Sequence, residues 1–113
     1  MSDCLFCRIV AGELPAQIVH HDDQVVAFRD IAPKAPVHIL VVPRSHWRSL
    51  DDVPSSHTQA LGHLLEVCRS LAATLGLEDG YRVVINTGAD GGQTVDHLHV
   101  HLLGGREFSW PPG

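Results

Sequence analysis

The sequence predicts an α+β fold: a five-stranded antiparallel sheet with a short N-terminal helix and one long helix. Three observations predict it. Five short apolar or β-branched runs follow one another with little between them, which suits sequential antiparallel pairing. Only one segment, after Pro54, sustains an apolar period of three and four. The 113 residues suffice for one ordinary core, since a chain of this size buries roughly two-thirds of its unfolded surface. A single domain over residues 1–113 is expected.

The elements follow in order. Between Ser2 and Gly12, CLFCRIVAG reads as a short helix with Ser2 or Asp3 as N-cap and Gly12 as stop. Leu14-Pro15 breaks the chain. Gln17–His20 and Gln24–Arg29 form two runs separated by His21-Asp22-Asp23, which suggests a hairpin. Asp30 to Pro36 is a proline-fixed loop, and Val37–Val42 (VHILVV) is a strand that Pro43 ends. Ser55 or Ser56 can cap the long helix. Its stripe is Leu61, Leu64, Leu65, Cys68, Leu71, Ala72 and Leu75, and Gly76 stands where a C′ glycine belongs. Gly80 turns the chain into Arg82–Asn86, and the loop TGADGGQT leads into a last strand, Val95–Leu103. The sheet is expected to be covered on one side.

Composition excludes several classes. Lys+Arg 8 against Asp+Glu 13 leaves a net charge of −5, which argues against a nucleic-acid binder. No apolar run reaches the roughly 20 residues of a membrane span. The N-terminus has no secretory pattern. Three Cys suit a reducing compartment, so a cytoplasmic protein is expected. Nine His stand out against a single Lys, and His is the residue that moves protons or holds metal near neutral pH.

Asp96-His97-Leu98-His99-Val100-His101-Leu102-Leu103 is the most informative segment. Alternate side chains of a strand share a face, so His97, His99 and His101 form one row and Leu98, Val100 and Leu102 the other. A neutral imidazole is a nucleophile, and a second one can donate a hydrogen bond to an anion. The glycines of GADGGQT, just upstream, let backbone N–H groups approach an anion. Phosphate chemistry uses both features. A solvated histidine face, or a metal site at His99 and His101, would show the same alternation.

HLHVHLL matches the histidine triad pattern, and the similarity extends over nearly the whole chain. Phe6 with Ile9, Phe28-Arg29-Asp30-Ile31, Ala35 to Leu40, Val42 to His46, the GQT loop and the terminal Ser109-Trp110-Pro111-Pro112-Gly113 resemble the Hint branch of the histidine triad superfamily. The resemblance implies a hydrolase of purine nucleotide phosphoramidates that acts at the α-phosphorus. His99 is then the nucleophile that forms a nucleotidyl-histidine, His101 orients the phosphate, His38 is its neighbour from another strand, and Thr94 stands near the bridging atom. Covalent catalysis splits one displacement into two easier steps.

The same resemblance implies that Asp30 accepts the ribose hydroxyls and that Phe6, Ile9, Phe28, Ile31 and Leu40 line the base slot. Read on their own, these are a loop-capping Asp and five core residues. Asn86, Gly92 and Gln93 are implied near the phosphate, and Trp110 near the partner's site in a homodimer.

Cys4 and Cys7 form a C-x-x-C pair that alone could be redox-active, buried or metal-binding. Related triad proteins complete such a pair with two histidines, here His46 and His97, around a structural zinc. No cofactor is implied for catalysis itself. Cys68 falls on the helix stripe. Asp96 departs from the family pattern, where an uncharged residue is usual; its carboxylate would either favour charged histidines or face solvent. A nucleotide-binding scaffold and a dinucleoside polyphosphate hydrolase are the alternative functions. All three triad His, together with Thr94, favour a working enzyme.

Overall fold

The computed structural model describes residues 3–113. The elements are α1 (Leu5–Val10), β1 (Ile18–His21), β2 (Val25–Arg29), β3 (Val37–Pro43), α2 (Thr58–Thr74), β4 (Tyr81–Val84) and β5 (Val100–Gly104). The strands form one antiparallel sheet in the order β1-β2-β3-β5-β4. The hairpin between β1 and β2 turns on Asp22, whose Oδ1 accepts from the Gln24 and Val25 N–H groups at 2.8 and 2.9 Å.

The sheet is apolar on both faces, not on one. On one side Val25, Ala27, Ile39, Val41, Val100 and Leu102 pack under α2. On the other Val26, Phe28, Leu40 and Val42 pack against Phe6 of α1. β2 and β3 therefore read as continuous apolar runs, as strands buried on both faces do. From α2 come Leu64, Val67, Cys68, Leu71 and Ala72. Leu65 is 48% exposed and lies off the buried stripe, while Val67 takes a core place.

Several boundaries differ from expectation. Ser2 lies outside the described residues, and the cap of α1 is Cys4, whose Sγ accepts from the Cys7 N–H, rather than Asp3. Neither Ser55 nor Ser56 caps α2: both are taken up in a short 3₁₀ turn over Ser55–His57, and the helix starts at Thr58. Gly76 does end it with a positive φ of 74°. β4 stops at Val84, before Asn86.

The largest difference is β5, which begins at Val100 rather than Val95. The Leu98 N–H is taken by the Trp47 carbonyl at 2.7 Å, and the His97 ring reaches the Pro43 carbonyl at 2.9 Å. Residues 95–99 are thus tied to the 43–47 segment and leave the ladder. The alternation survives all the same. Leu98, Val100 and Leu102 enter the α2-side core, while the His97 and His99 rings pack edge-on to Phe6 and His99 packs on His101.

Candidate active site and metal centre

The site lies on the α1 face of the sheet. β3 supplies His38 and Leu40, and β5 supplies His101 opposite Leu40. Phe28 of β2 and Phe6 of α1 close the floor, their ring centroids 5.5 Å apart. Above them opens a cleft of about 350 Å³ lined by Phe6, Ile9, Phe28, Asp30, Ile31, Leu40, Thr94, His99 and His101, among others. Nine of the residues singled out from the sequence therefore share one cavity. Ile31 is 99% exposed and stands at its mouth.

Others lie elsewhere. Asn86 follows β4 and is half-buried outside the cleft lining, and Gly92 is exposed. Gln93 binds its own loop: Oε1 accepts from the Gly88 N–H at 3.0 Å, and Nε2 donates to the Arg48 and Val95 carbonyls at 2.7 and 2.9 Å. Trp110 is 82% exposed on the C-terminal tail. Sequence reasoning missed Leu5, Leu14, Pro15, Ala16, Arg29 and Val95, which also line the cleft. The Leu14-Pro15 break carried the only hint, since an apolar segment after a helix stop must fold back onto something.

Main-chain groups fix where the histidine protons sit. A carbonyl can only accept, so the His99 Nδ1, 2.7 Å from the His97 carbonyl, carries the hydrogen, and Nε2 keeps a lone pair. A backbone N–H can only donate, so the Lys34 N–H at 3.1 Å makes the His38 Nδ1 an acceptor. Neutral His38 then carries its hydrogen on Nε2 and donates it to the His101 Nδ1 at 2.9 Å. His101 is left with an Nε2–H, and that atom is buried without a partner. A lone pair on His99 and a donor on His101 thus stand side by side, their rings 5.0 Å apart.

Electrostatics favour the neutral forms of His101 and His38. Burial, helped by the neighbouring His99 and His38, lowers the His101 pKa to about 4 against the opposing pull of Asp30. Burial likewise lowers the His38 pKa; Asp30 opposes this and Lys34 adds to it. Asp30 Oδ2 lies 3.6 Å from the His38 Nε2, and Oδ1 accepts from the Ala32 N–H at 2.8 Å. Asp96 faces away: it is 70% exposed and 3.6 Å from Arg48, so the solvent-facing reading of this residue holds.

Behind the site, Cys4, Cys7, His46 and His97 bring four donor atoms within 4.8 Å of one another. The Pro43 carbonyl holds the His97 hydrogen on Nε2 and leaves Nδ1 as a ligand atom. This Nδ1 is 3.3 Å from the Cys4 Sγ, 3.5 Å from the Cys7 Sγ and 3.1 Å from the His46 Nδ1, with Cys7 and His46 3.2 Å apart. A tetrahedron with ordinary zinc–nitrogen and zinc–sulfur bonds has edges of about 3.3–3.8 Å. The separations here, 3.1 to 3.5 Å, are slightly tighter, and two thiols with two imidazoles are a donor set that suits such an ion. A redox pair would not need two imidazoles turned toward its sulfurs. Among the described residues, no helix is long and apolar enough to cross a membrane.

Comparison with known proteins agrees with this geometry. The chain is 49% identical over 99% of its length, and 89% of the relative's, to a 14 kDa zinc-binding protein of Zea mays. The crystal structure of a HIT family hydrolase from Legionella pneumophila superposes with a TM-score of 0.96 at 47% identity, covering 98% of this chain and all of that one. A histidine triad nucleotide-binding protein from Candida albicans gives 0.83 at 32% identity, covering 96% of this chain and 83% of that one. The family model of the HIT domain matches residues 11–108. The chain therefore belongs to the HIT domain family and is an enzyme of its hydrolase class.

Proposed function

We propose that this chain hydrolyses purine nucleotide phosphoramidates at the α-phosphorus through a nucleotidyl-His99 intermediate. The observation that carries the reading is the fixed and opposite proton placement on two adjacent imidazoles of one cleft: an Nε2 lone pair on His99 and an Nε2–H on His101. The apolar wall of Phe6, Phe28 and Leu40 suits a planar base, and Asp30 at its rim suits the ribose hydroxyls. In the first step the His99 Nε2 forms a bond to phosphorus as the bond to the leaving amine breaks, and the amine takes a proton from solvent water, which the attacking water of the second step returns. His101 donates to a non-bridging oxygen, where charge gathers. Water then replaces His99 and releases the monophosphate. Thr94, at the cleft edge, supports a role beside the bridging atom.

The fit of Cys4, Cys7, His46 and His97 supports a structural zinc, which ties α1 and the 43–47 segment to the catalytic strand. Reduced thiolates at that centre suit the cytoplasm. The unpaired edge of β4 with the exposed Tyr81, and Trp110 on its tail, support a homodimer in which Trp110 approaches the partner's cleft. The test is incubation with an adenosine phosphoramidate. Release of the monophosphate, with a labelled protein adduct on rapid quench, is expected; tight nucleotide binding with no release would mark a scaffold instead.

A further inference from the structure

The relay that sets the His101 proton begins outside the cleft. Its first donor, the Lys34 N–H, belongs to an exposed loop with no regular structure. A donor on a free loop would not hold a tautomer. The loop is held, however, from the far end of β5. The Arg106 Nε donates to the Lys34 carbonyl at 3.0 Å. Gly105, at a φ of +87°, passes so close to Pro36 that an added Cβ would lie 2.9 Å from the proline Cβ. Arg106 is itself braced: its guanidinium lies 4.1 Å over the Phe108 ring, and its Nη1 donates to the Glu107 carbonyl at 3.0 Å.

We propose that Arg106 is a positioning residue for the reaction: it clamps the Lys34–Pro36 segment so that the Lys34 N–H fixes the hydrogen on His38, and through His38 the hydrogen on the buried, unpartnered Nε2 of His101. Arg106 touches none of the reacting groups. Its effect passes through one main-chain carbonyl and two imidazoles. Without the clamp, the Lys34 N–H can leave the His38 Nδ1, and either nitrogen of His38 can then carry the hydrogen. His101 follows, and part of the population presents a lone pair where a phosphate oxygen needs a donor. The activity consequence rests on the phosphoramidase reading, whereas the tautomer consequence does not.

Nitrogen-labelled histidine in the full chain separates the two, because protonated and unprotonated imidazole nitrogens resonate far apart. In the wild type at neutral pH, His101 should show hydrogen on Nε2 alone. Arg106→Ala should give a mixture of both forms, with kcat lowered about tenfold and KM within about twofold of wild type. Arg106→Lys, which keeps a donor, should restore most of the Nε2–H form, and Phe108→Leu, which removes the brace but keeps the Arg106 donor, should disturb the spectrum much less than Arg106→Ala does. Arg106→Met, with a stem to cover Phe108 but no donor, replaces the alanine variant if that one does not fold. A wild-type spectrum in the donor-less variant overturns the proposal, as does an equal disturbance in Phe108→Leu. If the tautomers shift but the wild type hydrolyses no phosphoramidate, the substrate reading fails and the clamp stands.

Discussion

His97 serves two centres at once: its ring Nδ1 faces the sulfurs of Cys4 and Cys7, while its carbonyl accepts the Nδ1–H of His99 at 2.7 Å. Whatever fixes the His97 ring therefore also fixes the main-chain group that orients the His99 ring.

Loss of the metal should accordingly reach catalysis. Elemental analysis should find one zinc per chain, and a chelator or Cys7→Ser should lower thermal stability and turnover in parallel. Full activity in metal-free protein would separate the two centres.

His99→Ala should cost at least about three orders of magnitude in turnover, because His101, the other imidazole lining the cleft, carries its hydrogen on Nε2. Nucleotide affinity, measured by calorimetry, should change little. Residual turnover near the wild-type rate would assign the nucleophile elsewhere.

His38→Ala leaves the His101 Nδ1 without its donor and the Lys34 N–H without its acceptor. A fall in kcat of about 10- to 100-fold is expected, with KM nearly unchanged. Steady-state kinetics decide, and a change confined to KM would place His38 in binding alone.

The depressed pKa of His101 makes stability depend on pH. Folded His101 titrates at about 4 against 6.5 for the unperturbed group, so the unfolded chain binds more protons between these values. Stability should therefore rise with pH from about 4 to about 6.5 and fall on acidification through the same window. Urea midpoints across this range should follow that slope, and His101→Asn should make it shallower, the lowered pKa of His38 keeping part of it.

Asp22 draws the β1–β2 turn and α2 together. Its Oδ2 is 2.8 Å from both the His20 and His63 Nε2 atoms, and its Oδ1 takes the two backbone donors of the turn. Burial opposes ionisation, but these four donors outweigh it and hold the carboxyl well below the usual range. Asp22→Ala should cost on the order of 1–3 kcal/mol, read from denaturant midpoints. A loss under a few tenths would show that the two histidines find other partners.

Much of this was legible in the sequence because period-two alternation reports side-chain direction even where a ladder is interrupted. His97, His99 and His101 share a face although only His101 belongs to β5. The N-cap was not legible: a thiol is an unusual cap, and Cys4 occupies that position while also facing His97. The closure of the cleft by Leu14, Pro15 and Ala16 was hidden as well, because it depends on where the chain folds back rather than on local preference. The side-chain amide of Gln93 binds its own loop and the Arg48 carbonyl, and the second pairing joins segments distant in sequence. The contact of His38 with His101 depends on sheet register, which sets Leu40 against His101; no local motif encodes it.

The placement of hydrogen on His97, His99 and His38 comes from peptide groups at Pro43, His97 and Lys34. Peptide groups persist through nearly every exchange of residue type, so drift in the surrounding side chains can retune what the pocket admits without rewriting which nitrogen is basic. Two positions are exceptions: proline at position 34 would delete the N–H at the head of that sequence of donors, and loss of the Arg106 side chain would free the loop that carries it. Prototropy here is a property of the polypeptide path, and a redesigned specificity could inherit it intact.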